Sequence, residues 1–419
     1  MLNYKDKNHL INMHFFRELT SIERERCVIA KYYIETYTEF GSLRDAAWSL
    51  AIGQSVGNPR VRNQWETDEL FETSSCVIYE DEKSLMNKDK GIIEIGFPHI
   101  NTDWENDGIS HLLCQLMGGQ VDINVFKKCR LLDISFPECI EKYFLGPKYG
   151  ITGIRNFLKQ NNKPISGAII KPKTGINAHV LTEMVKELLD GGVDFIKEDE
   201  ILSNPSFCRL EDRVNPVMKA IQAHNRPVMY CFCINGDPHT VLDRARFVAD
   251  QGGNGVHVNF WSGLGIYRSI RMLDLPLFLH FQKSGDKILT DPRHSFGIEW
   301  SVLCDLAGMS GVDTIHAGMW GGYLSDNEES IRNIMKVLHN RNTLPALSCG
   351  MHPGLVDEIT NRFGYDYLAN CGGSIHGHPD GTKSGAMAMR QAIDRRNGNE
   401  LTVAIDKWGF AGPTPGWYK

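Results

Sequence analysis

Gly191-Gly192-Val193-Asp194-Phe195-Ile196-Lys197-Glu198-Asp199-Glu200 is an apolar strand that runs straight into one lysine and three acids. Side chains alternate along a strand, so Lys197 and Asp199 share one face, and Glu200 can turn inward as the backbone leaves the sheet. By itself a Lys-X-Asp-Glu strand end is an ordinary salt bridge. It also meets the needs of magnesium, because hard Mg2+ takes oxygen ligands in an octahedron and Asp199 and Glu200 supply two. Lys197 offers a third. An amine held near the interior loses its proton more readily than in water, and the neutral amine adds CO2 to give an anionic carbamate.

Outward from this stretch the chain alternates strand and helix patterns with unusual regularity. Strands are expected at 167–173, 193–199, 228–234, 255–260, 275–282, 313–317, 346–350 and 367–371, with helices between and after them at 181–189, 241–250, 299–306, 330–338 and 384–393. Eight strands each followed by a helix make a (β/α)8 TIM barrel, whose active site lies at the C-terminal ends of the strands. Polar clusters fall at those ends: Lys171 and Lys173, Lys197 to Glu200, His280 to Lys283, His316, Ser348 with Gly350, and Gly372-Gly373. The earlier part reads strand, helix, strand, strand, helix, strand (27–37, 43–54, 75–79, 91–97, 109–117, 126–136), a ferredoxin-like α+β domain. The expected organisation is an arm at 1–25, the α+β domain at 26–145, the barrel at 146–400 and a tail at 401–419.

The ordered set Lys171-Pro172-Lys173, Lys197-Glu198-Asp199-Glu200, His280, His316, Ser348-Cys349-Gly350 and Gly372-Gly373 resembles the large chain of RuBisCO over roughly residues 26 to 396. The resemblance implies Mg2+ held by carbamylated Lys197, Asp199 and Glu200. It implies that Lys171 moves protons, with His280 among the catalytic residues. On a strand, Lys173 would share a face with Lys171 and depress its pKa by like-charge repulsion. Phosphate would be held by Ser348, Gly350, Gly372 and Gly373, with His316 and Lys283 at the far group. A head-to-tail homodimer or higher homo-oligomer is implied as well.

Departures from the family pattern bear on the reaction. Gln282 stands where RuBisCO has a second histidine, and Lys283 where it has an arginine, which trades a planar fork for a point charge. Tyr323 replaces the lysine that holds incoming CO2, and Gly53 replaces the glutamate that pairs with it. Asn58-Pro59 stands for an aromatic-threonine pair, and Gly119 for an asparagine beside the metal. The chain is therefore more similar to the RuBisCO-like proteins, called form IV, than to the carboxylases. Among them the methionine-salvage enolase, acting on 2,3-diketo-5-methylthiopentyl 1-phosphate, has its base lysine at the position of Gly119. Relatives that decarboxylate, or transfer and hydrolyse the carboxyl side of, 3-oxo-isoapionate 4-phosphate are the better likeness. A non-catalytic scaffold would have no use for a costly cluster of buried charges.

Composition narrows the setting. The 419 residues exceed one ordinary domain, 42% hydrophobic content suffices for normal cores, and the net charge of -6 without a basic run argues against nucleic acid. No apolar run reaches a membrane span and the start lacks a secretory pattern, so the expectation is a cytoplasmic protein without a membrane partner. The 11 cysteines, several within apolar strands and helices, read as reduced core thiols.

Overall fold

The computed structural model describes residues 15–57, 63–323 and 326–410. The expectations for Asn58-Pro59, for most of the arm, for the middle of the loop after His316 and for the end of the tail lie outside the described residues. The chain forms two compact units, Met1–Phe144 with Asp286–Leu303, and Leu145–Gly285 with Cys304–Lys419.

In the first unit, β1 (Cys27–Thr36) pairs antiparallel with both β3 (Lys90–Pro98) and β4 (Phe126–Ser135), and β2 (Val77–Ile78) pairs with β3. The helix Leu43–Gly53 buries Leu43, Ala46, Ala47, Leu50 and Ala51 at helical spacing. At its start the Ser42 backbone N–H and hydroxyl both donate to the Asp45 carboxylate at 2.8 Å. A fifth strand, β10 (Phe296–Ile298), comes from far along the sequence and adds parallel to β4. Buried Arg130 holds this excursion, donating to the carbonyls of Thr290 and Asp291 at 3.2 and 2.8 Å and to the Glu299 carboxylate at 3.0 Å. Within the expected arm, Phe15 is buried and Phe16 bridges to Ile78.

The second unit is a closed barrel of eight parallel strands, β5 (Ile165–Ile169), β6 (Phe195–Lys197), β7 (Met229–Cys233), β8 (Gly255–Asn259), β9 (Phe278–Gln282), β11 (Thr314–Gly318), β12 (Leu344–Leu347) and β13 (Leu368–Cys371). Apolar residues at the strand starts, among them Ile165, Phe195, Met229, Phe278, Leu344 and Leu368, pack on Ile154 and Leu158 of the helix Gly150–Leu158. That plug seals the N-terminal end and leaves the C-terminal ends for chemistry. The unit also runs past residue 400, where the helix Asn399–Trp408 packs Ala404 and Trp408 on Ala388.

One strand end differs from expectation with consequences for the site. β5 stops at Ile169, and the last ladder bond runs from the Ile170 N–H to the Lys197 carbonyl at 3.0 Å. Pro172 has no N–H to continue the ladder, and residues 171–175 bend away. Lys171 and Lys173 therefore do not share a strand face, and the expected tuning of one by the other has no strand geometry behind it. All 11 cysteines are free, eight of them buried. Among the described residues no helix is long and apolar enough to cross a membrane.

Candidate active site

Alternation along β6 places Lys197 in the barrel interior with 0% exposure, its Nζ 3.5 Å from Glu200 Oε2 and without a hydrogen bond. Asp199, on the same side two residues on, is 2% exposed and accepts a hydrogen bond from Lys171 Nζ at 2.6 Å. Gly372 leaves room for that lysine, since a Cβ there would lie 3.1 Å from Lys171 Cε. Burial pushes the Glu200 carboxyl up, but Lys197, the residue's own backbone, the Ser284 hydroxyl and Lys171 together hold it below the usual range. Lys171, Lys197, Asp199 and Glu200 thus converge as expected.

The donor set fits Mg2+. Among the described residues no group of three or more His, Cys, Asp and Glu is placed to hold a metal, so two carboxylates alone fall short. The sealed Lys197 Nζ lies beside them with its hydrogen-bonding capacity unused. Carbamate formation there would turn that nitrogen into a carrier of oxygen ligands, the kind Mg2+ prefers.

Across the barrel, His316 Nδ1 is 3.2 Å from the Lys283 carbonyl and donates to it, leaving Nε2 to accept from the Ser348 hydroxyl at 2.7 Å. Cys349 Sγ lies 3.7 Å from the same nitrogen. Cys349 has φ 71°, a left-handed conformation costly for a residue with a Cβ, and nothing in its type marked it beforehand. Gly350, at φ 110°, touches the backbone of Gly322 and Tyr323, where any side chain would collide. Gly373 opens the short helix Gly373–His376 directly after β13. Ser348, Gly350, His316 and Lys283 are therefore one cluster.

Two expected residues are placed differently. Lys173 is exposed on the bend after β5. His280 sits mid-strand in β9 rather than at the accessible rim, fully buried, with neither ring nitrogen hydrogen-bonded. In register with it lie Thr314 on β11 and His257 on β8, whose ring centroid is 6.2 Å from that of His280. His257 is equally buried and unpaired and was not foreseen. The third acid of the cluster that ends the opening stretch, Glu198, faces the opposite side of β6 and is fully buried.

These histidines make stability depend on pH. Burial first, then the ammonium of unmodified Lys197, holds His257 and His280 well below the ordinary value of 6.5. Burial and Lys283 bring His316 to about 3, and burial brings His352 to about 4. Each binds its proton more weakly folded than unfolded. Their contribution is therefore complete above pH 6.5 and is lost as pH falls from there toward the folded values. Each steepens the loss by up to about 1.4 kcal/mol per pH unit. Calorimetric melting between about pH 8 and about pH 5 should show a steep fall beginning near the ordinary histidine pKa; a flat profile would contradict neutral buried rings.

The chain matches the ribulose bisphosphate carboxylase large chain N-terminal domain over residues 16–140 and its catalytic domain over 150–343 and 336–405. It is 32% identical over 411 residues to a ribulose bisphosphate carboxylase of Pyrococcus furiosus, covering 92% of this chain and 95% of that one. It is 27% identical over 408 residues to a 2,3-diketo-5-methylthiopentyl-1-phosphate enolase of Exiguobacterium sibiricum, covering 91% and 99%. The crystal structure of the octameric ribulose-1,5-bisphosphate carboxylase/oxygenase of Pyrococcus horikoshii OT3 superposes with a TM-score of 0.86 at 29% identity, covering 96% of this chain and 97% of that one.

Proposed function

The chain belongs to the RuBisCO large-chain family, and from that premise we propose that it is a RuBisCO-like, form IV enzyme that is Mg2+-dependent and enolises a phosphorylated, sugar-derived oxo acid. The reaction is decarboxylation, or transfer and hydrolysis of the carboxyl side, of 3-oxo-isoapionate 4-phosphate. The observation that carries this reading is the contact of Lys171 Nζ with Asp199 Oδ2 at 2.6 Å beside sealed Lys197, a proton carrier resting directly on the metal-ligand cluster. When bound, Mg2+ supplies Lewis-acid polarisation of the substrate carbonyl.

The chain's own residues do the rest. Lys171 holds a proton at Nζ and delivers it to the carbon that has lost CO2. The Ser348 hydroxyl, turning its one proton from His316 Nε2 to the phosphate when substrate enters, and the backbone at Gly350, Gly372 and Gly373 bind the phosphate, while Lys283 adds positive charge. Because loss of CO2 from a 3-oxo acid needs no group to grip incoming CO2, Tyr323 and Gly53 are compatible with it. The enzyme acts in the cytoplasm as a homodimer or higher homo-oligomer, each N-terminal domain capping its neighbour's barrel mouth. The octameric state of the Pyrococcus horikoshii protein supports the homo-oligomer.

Ribulose bisphosphate should not be carboxylated, since both members of the CO2-holding ion pair are replaced. Incubation with ribulose bisphosphate and labelled bicarbonate is expected to leave acid-stable label at background; label in a three-carbon acid would refute this part. A screen of phosphorylated oxo acids for CO2 release tests the positive claim. Turnover of the methylthio diketone alone, with no one- or two-carbon fragment released, would instead assign the salvage enolase.

A further inference from the structure

Glu198 lies between the metal-site residues Lys197 and Asp199 yet belongs to neither the metal cluster nor the phosphate cluster. Alternation turns its carboxylate to the outer side of β6, where barrel strands normally meet apolar helix faces. There it is fully buried and accepts four hydrogen bonds: from Arg213 Nε at 2.7 Å and Nη2 at 2.9 Å, the Cys233 N–H at 2.7 Å and the Tyr230 hydroxyl at 3.2 Å. Arg213 has no exposure either. Its other donors reach the carbonyls of Cys208 at 2.7 Å, Ser203 at 2.6 Å and Cys233 at 3.2 Å.

The distribution of these contacts is informative. Every partner of Arg213 lies either at Glu198, on the loop that carries the chain away from Glu200, or at the end of the neighbouring strand β7. One guanidinium therefore pins the peptide before Asp199 and two points of the loop after Glu200. Burial alone would favour loss of the Arg213 proton, but the Glu198 carboxylate in contact outweighs this and keeps the guanidinium charged. A buried ion pair of this kind adds little to stability over apolar residues of similar volume, so stability does not account for it.

We propose that Arg213 and Glu198 are positioning residues that fix where the Asp199 and Glu200 carboxylates sit, and so make the site selective for the small, geometrically strict Mg2+ ion. This rests on the Mg2+ reading of the site given above. Mg2+ demands near-ideal octahedral geometry with short bonds, whereas Ca2+ accepts longer and irregular ones. Loosening the backbone around Asp199 and Glu200 should therefore weaken Mg2+ far more than Ca2+. Partners that orient metal ligands from behind typically change metal affinity by about 10- to 100-fold when removed.

The test is calorimetric titration of full-length protein with Mg2+ and with Ca2+ in bicarbonate buffer, alongside thermal melting. Arg213→Lys keeps the charge without the fork. The double variant Glu198→Leu/Arg213→Met removes both charges together and so avoids stranding one. The expected result is a lowered but cooperative melting transition for the double variant, since the Cys233 N–H, the Tyr230 hydroxyl and three carbonyls lose a partner, with Mg2+ affinity of the folded protein down by about 10-fold or more and Ca2+ affinity nearly unchanged. Arg213→Lys should fall between. Wild type that binds Mg2+ while the folded double variant keeps the wild-type Mg2+ to Ca2+ ratio would overturn the positioning role alone. Wild type that binds no Mg2+ would overturn the metal reading and this inference with it.

Discussion

Lys197→Met is expected to yield a folded protein with no measurable turnover at any Mg2+ or bicarbonate concentration. Lys197 is fully buried and its Nζ makes no hydrogen bond, so methionine fills nearly the same volume without stranding a donor. Glu200, released from Lys197, keeps the Ser284 hydroxyl and the Lys171 charge beside it. Stability should therefore stay within about 1 kcal/mol of wild type. Activity is another matter. Losing the carbamate leaves two carboxylates, and metal polarisation contributes several kcal/mol to the barrier, so the loss should be about 1000-fold or more. Melting and metal titration of the variant separate the two effects. Full activity, or full Mg2+ affinity, in Lys197→Met would remove the carbamate from the account.

Lys171→Met should abolish product formation while sparing substrate binding. The lysine donates to Asp199 at 2.6 Å, packs beside Gly372, and is only part-buried, so its head is accessible from the barrel mouth. A positioned general acid contributes about 100- to 10,000-fold, and that is the expected fall in kcat. The phosphate cluster at Ser348, His316 and Gly350 makes no use of Lys171, so the substrate dissociation constant should move little. A large loss of binding with kcat preserved would make Lys171 a binding residue.

How much of this the sequence carries depends on which physical signal is asked for. The barrel is legible because strand and helix periodicities alternate eight times, and the strand ends then point to a single rim. Lys171, Lys197, Asp199 and Glu200 were legible as residue types at that rim, and they do meet. The reach of β5 is not legible, because an alternating pattern continues to Lys173 while the strand stops at Ile169 and the ladder makes its last bond at the Ile170 N–H, before Pro172. β10 was not foreseen because Phe296-Gly297-Ile298 is too short to show a period, and its pairing with β4 is set by Arg130 from 160 or more residues away. The same limit hid Arg213. That an arginine on the helix Leu210–Ala223 would clamp Glu198 is a tertiary fact, although alternation alone puts Glu198 on the face opposite Asp199. His257 is not legible because a buried histidine within an apolar strand carries no sequence mark of what it faces.

The most direct measurement follows the carboxyl carbon. Purified enzyme is incubated with Mg2+, bicarbonate and 3-oxo-isoapionate 4-phosphate carrying 13C in its carboxyl group, with unlabelled ribulose bisphosphate supplied in parallel, and the label is tracked by NMR. The label is expected to leave the substrate, as 13CO2 or in a released acid fragment, only when Mg2+ is present, and about 100-fold or more slowly in Lys171→Met. Label that stays in the substrate carboxyl, together with carboxylated product from ribulose bisphosphate, would contradict it.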